Sequence, residues 1–145
     1  MSSQREEMIA ALAALLGAVP GTTFARNNVD TGDYEAETSN ITLFDGAPES
    51  AQPLSGSPSH EIVHVAEADV VIVNQDQAAR DSEYDRIIEA MEGLIAADRT
   101  LGGRADYAEM RAPGAPSTER IMGADNIKAA TVEIALWYVA AKSTG

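Results

Sequence analysis

The sequence predicts an α/β fold of the α+β type: a single mixed or antiparallel sheet of about five strands with two amphipathic helices packed on it, in the order α-β-β-β-α-β-β. Three observations predict it. Two segments repeat apolar residues at three- and four-residue steps, as a helix with one buried face requires. Other segments alternate in steps of two and are rich in valine, isoleucine and aromatic residues. No internal repeat or interdomain linker interrupts the 145 residues, a length that one domain with a real core fills.

The first helix carries Met8, Ile9, Leu12, Leu15 and Leu16 on one stripe. Ser3 with Glu6 has capping-box spacing, and Gly17 is the expected stop. "VPG" at 19–21 turns the chain into "TTFARN", a short strand. The acidic stretch 28–40 is expected to be a loop or weak hairpin, and "ITLFDG" at 41–46 a strand closed by the Asp45-Gly46 turn. "APESAQPLSGSPS" at 47–59 has almost no apolar anchor and predicts a long mobile loop.

Residues 60–74, "HEIVHVAEADVVIVN", predict a long strand. Ile62, His64, Ala66, Ala68, Val70 and Ile72 make one uncharged face; Glu61, Val63, Val65, Glu67, Asp69, Val71 and Val73 make the other. In a helix these β-branched residues would lose χ1 freedom at nearly every turn. The second helix is expected over 82–98, with Ser82 and Asp85 as its cap and Tyr84, Ile87, Ile88, Met91, Leu94 and Ile95 as its buried stripe. "TLGG" at 100–103 ends it. "RADYAEMRAP" at 104–113 predicts a strand, and 114–125 a second mobile loop. In the last strand, 127–141, Ala130, Val132, Ile134, Leu136 and Tyr138 share one face, which sets the adjacent Trp137 on the other.

Composition narrows the function classes. The chain has no cysteine, which excludes disulfides and thiolate metal sites. A formal charge of −13 leaves little means of neutralising nucleic-acid phosphates. The apolar run in the first helix is too short for a membrane span, and Glu6 and Glu7 stand where a signal peptide needs cations. These features predict a soluble, cytoplasmic protein with no membrane partner.

His60-Glu61-Ile62-Val63-His64 spells H-E-x-x-H, the zincin signature, and holds the chain's two histidines. That chemistry needs a helix, where residues four apart stand one turn apart and both imidazoles reach one metal. On a strand the same residues lie about 13 Å apart along the chain. His60, Glu61 and His64 are therefore read as a chance motif on a strand, with no catalytic, cofactor or metal site expected. A small zinc metallohydrolase using them is the least favoured alternative.

The layout resembles the tail terminator, or tail completion, proteins of long-tailed bacteriophages, a family also used by gene transfer agents. The resemblance runs through "GAVPGTTFARN", "ITLFDGAPE", "VVIVNQ", "SEYDRIIEAMEGLIAADRTLGGRADYAEM" and "IKAATVEIALWYVAA". It implies one tail-terminator-like domain over 1–145, not an enzyme and without cofactor, forming a hexameric ring. Such a ring caps the head-proximal end of the tail tube, stops its polymerisation and joins it to the head–tail connector or stopper. Its implied partners are copies of itself, the tail tube protein and that connector, with genome DNA passing through without specific binding. Its implied place is the tail-neck region of a virion assembled in the host cytoplasm. Six copies at −13 give a ring of −78, a charge that would repel DNA from a channel wall. The stretches 47–59 and 114–125 are the expected contacts to tube or connector. Another neck or tail assembly protein is the alternative reading.

Overall fold

The computed structural model describes residues 3–27, 37–113, 117–121 and 124–141. Along the chain run α1 (Gln4–Leu16), β1 (Thr23–Arg26), β2 (Thr38–Pro53), β3 (His60–Val73), α2 (Gln77–Ala97), β4 (Tyr107–Met110), β5 (Ser117–Ile121) and β6 (Ala124–Ala140). The strands form one mixed sheet in the order β1-β2-β3-β6-β4, with β5 also paired to β6. Only β1–β2 is parallel among these pairs; the others are antiparallel. The α+β class and the two helices are those the sequence predicts, with one strand more.

Both helices pack on the same face of the sheet. From α1 come Met8, Ile9, Leu12 and Leu16; from α2, Tyr84, Ile87, Met91 and Ile95. They meet Ile62, Ala66, Ala68, Val70 and Ile72 of β3 and the 130–140 even-numbered residues of β6. The opposite parity of β3 and β6 contributes nothing to this core; Val71, Val73 and Ile127 form a separate small cluster on the other face. The two faces read from residues 60–74 are thus the two faces of the folded strand.

Several boundaries differ from expectation, each for a local reason. The predicted loop at 47–59 is half strand: β2 continues through Ala47–Pro53, paired, apart from Glu49, to His60–Val65 of β3. Pro48 and Pro53 are tolerated because β1 covers only Asn40–Leu43 of β2, so the rest of that strand's outer edge needs no N–H donors. Two bulges, at Asp45-Gly46 and at Glu49, absorb the irregular spacing. Of the loop expected at 28–40, Thr38–Asn40 opens β2, and 28–36 lie outside the described residues.

The loop expected at 114–125 contains β5, which pairs with the start of β6; residues 114–116, 122 and 123 lie outside the described residues. Helix α2 begins at Gln77 with Asp76 as its cap, the Asp76 carboxylate accepting from the Ala78 N–H at 3.1 Å. Ser82 is inside the helix. In α1, Ser3 does cap the helix, its Oγ accepting from the Glu6 N–H at 3.1 Å, while the Glu6 carboxylate goes to Arg26 and does not complete the box.

Candidate functional site

The H-E-x-x-H residues open β3. Alternation along a strand points Glu61 to the face opposite both histidines. Glu61 is exposed on the helix-free face, whereas His64 is buried to 1% on the helix side. The two imidazoles stand four strand residues apart, about 13 Å. One metal ion cannot be held by both, and Glu61 cannot activate a water between them. Among the described residues no group of three or more His, Asp or Glu is gathered closely enough to hold a metal ion.

His64 has a structural engagement instead. Its Nε2 donates to the Asp45 carbonyl in the first β2 bulge, which places a proton on Nε2. Nδ1 is buried with no protein partner. Burial pushes the His64 pKa below its ordinary 6.5, although the Asp45 carbonyl opposes that shift. The bulge is held from further sides. Gly46 has φ of +70°, and a Cβ there would fall 1.8 Å from the Val65 carbonyl oxygen, so only glycine lets the two backbones approach. Arg26 grips the Asp45 carboxylate at 2.9 and 3.1 Å and the Glu6 carboxylate at 2.7 and 3.2 Å, tying β1, β2 and α1 together. The Arg26 hydrogen bonds hold the Asp45 carboxyl below its usual range.

A polar cleft of about 490 Å³ opens beside this corner, lined by Ser3, Arg5, Glu6, Asp45, Gly46 and His64 among others. Its lining sets Arg5 beside the Glu6 and Asp45 carboxylates, and both carboxylates are engaged by Arg26, which suits a structural joint better than a reacting centre. A shallower groove of about 620 Å³ lies between α1 and the turn after α2, walled by Ala10, Ala11, Ala14, Leu15 and Leu101.

The helix-free face is the third feature. Registers place Ser50, Val63, Trp137 and Tyr107 in one row across β2, β3, β6 and β4. Tyr138 is 1% exposed in the core and its neighbour Trp137 lies on this other face, as the alternation predicts. The Tyr107 and Trp137 rings sit 5.7 Å apart at 59°. Arg99 lies 5.1 Å from the Tyr107 ring centroid and donates to the Ala108 carbonyl at 2.9 Å, fixing the edge of this pair. Tyr107 at 41% and Val139 at 37% are the exposed large hydrophobics of the described residues, and they flank Trp137. Tyr107 is signalled in the sequence only by the alternation of "DYAEM", which turns Ala108 and Met110 inward.

No family model matches the chain, and no curated protein matches it. Among solved structures it is similar to a chain of the virion of a native gene transfer agent particle, at 13% identity over 94% of this chain and 92% of that one, with a TM-score of 0.36. A likeness at that level assigns no role to any residue.

Proposed function

We propose that this chain is a structural protein of a phage-like particle: a subunit of a ring that caps the head-proximal end of a tail tube, ends tube growth and joins the tail to the head connector. The observation that carries this reading is the two-sidedness of the sheet. One face is sealed by both helices, while the other keeps an aromatic patch partly exposed, the arrangement of a subunit built for contact with other proteins. The layout resemblance, from "GAVPGTTFARN" to the apolar-aromatic last strand, supplies the specific role. The strand geometry of His60, Glu61 and His64 favours assembly over zinc hydrolysis.

Native mass spectrometry of the purified chain, in volatile buffer without chelator, tests this reading. A metal-free hexamer is expected; if the chain is monomeric alone, tail tubes are added and electron microscopy should find it at one tube end only. A monomer holding one zinc ion would sink the proposal. Binding to connector rings but never to tube ends would transfer the chain to another neck role.

A further inference from the structure

We infer that the helix-free face of the sheet docks a different protein, through a partner surface that is apolar at one point and cationic beside it. The inference deepens the structural reading above, on which it rests for the existence of a partner.

The face has two neighbouring zones. The first is the aromatic row Val63–Trp137–Tyr107 with Val139 beside it, the place where the described chain leaves large hydrophobics in water. The Tyr107–Trp137 pair is held by Arg99, so it can meet a partner with little ordering cost. The second is acidic. Glu67 and Glu133 are direct cross-strand partners, both exposed on this face, and Asp69 follows Glu67 two residues on. Like charges directly opposite each other on neighbouring strands destabilise a sheet. The face thus keeps a local cost that an incoming cation would relieve.

Between the zones runs the Arg111–Glu49 ion pair, bidentate at 2.8 and 3.1 Å. Arg111 adjoins the β4 side of β6 and Glu49 belongs to β2, so the pair crosses the β3–β6 strands above Val65 and Ala135, both buried. This guanidinium is bonded to Glu49 and also lies within electrostatic reach of Glu133, so it offsets the Glu67–Glu133 repulsion only in part.

Charge decides the occupant. A second copy docked face to face would set acidic zone against acidic zone. Among the described residues of that copy, Arg26, Arg86, Arg111 and Lys128 are already paired with carboxylates of their own chain. Nucleic acid, a polyanion, is repelled. A protein surface bearing Lys or Arg next to an apolar side chain complements both zones.

Trp137 is the chain's one tryptophan and lies inside the aromatic zone, so its fluorescence reports directly on this face. The probes are two tryptophan-free peptides, one alternating Lys and Leu, the other Glu and Leu, added to the full chain. A saturable blue shift is expected with the Lys/Leu peptide and none with the Glu/Leu peptide. Glu67→Lys with Glu133→Lys should weaken binding about tenfold. Glu89→Lys with Glu92→Lys, the same charge change on exposed positions of α2, should change it less than about twofold. If the first pair does not fold, Glu67→Gln with Glu133→Gln replaces it and should still weaken binding.

Equal weakening by both pairs would mean bulk charge alone and would overturn the inference, as would an equal response to both peptides. A blue shift that grows with protein concentration before any peptide is added would assign the face to a second copy and also overturn it. The native mass spectrum judges the ring separately: a hexamer with no peptide response keeps the ring and discards this docking face.

Discussion

At the residue scale, His64 and Gly46 show how one corner of the sheet is held together. Gly46 permits a backbone approach that no side chain would allow, and His64 secures the preceding carbonyl. The groups facing His64 are Asp45 on β2 and Arg5 on α1, with Arg26 and Glu6 behind Asp45. A pH dependence follows from its lowered pKa. The unfolded chain takes up a proton on this imidazole near 6.5, while the folded chain resists it until lower pH. The unfolded state therefore binds more protons in that interval. Stability from His64 is whole above about pH 6.5 and is lost progressively as pH falls towards the folded value. Urea unfolding between pH 7.5 and 5 should show this decline. His64→Gln, whose amide can still donate to the Asp45 carbonyl, should be nearly flat there. The Asp45 and Glu83 carboxyls, both held low by arginine hydrogen bonds, act in a separate window below about pH 4.5. A decline unchanged in His64→Gln would put the responsible proton on another group.

At the element scale, the start of α2 separates two expectations. Asp76→Ala should cost about 1 kcal/mol, because the Ala78 N–H loses its acceptor. Ser82→Ala, inside the helix, should stay within about 0.5 kcal/mol in the same denaturant titration. Equal losses would mean that the first turn of α2 is frayed in solution and that Ser82 supplies the working cap. The sequence suggested Ser82 because apolar periodicity begins only at Tyr84; the preceding "QAARD" has no apolar repeat to reveal that it is already helical. The same physics explains the other departures. The β3 and β6 strands and their faces were legible because burial on one side writes itself as alternation. The second half of β2 was not, since an exposed edge strand of "APESAQP" is chosen for backbone pairing and tolerates prolines. Nothing in the sequence indicated that Glu67 would meet Glu133, because register between distant strands is a tertiary fact.

At the scale of the whole molecule, charge is the term that assembly must overcome. Each copy carries −13, and the hexameric ring we propose would bring six such charges within mutual reach. In low salt that repulsion acts across the ring; near 0.15 M the Debye length is about 8 Å, and only charges close to an interface still interact strongly. Apolar contacts do not weaken in the same way. If the ring closes through apolar and backbone contacts, its formation should therefore be favoured by salt. Sedimentation velocity of the chain in about 0.02 M and about 0.2 M sodium chloride is expected to shift from smaller species towards the ring. The docking of a cationic partner on the helix-free face has the opposite sign, since screening removes the attraction of Glu67, Asp69 and Glu133. The two contacts can therefore be told apart by salt alone. A ring that dissolves as salt rises would mean that ion pairs between subunits dominate its closure. The arginines now paired within each subunit would then have to exchange partners at the interface.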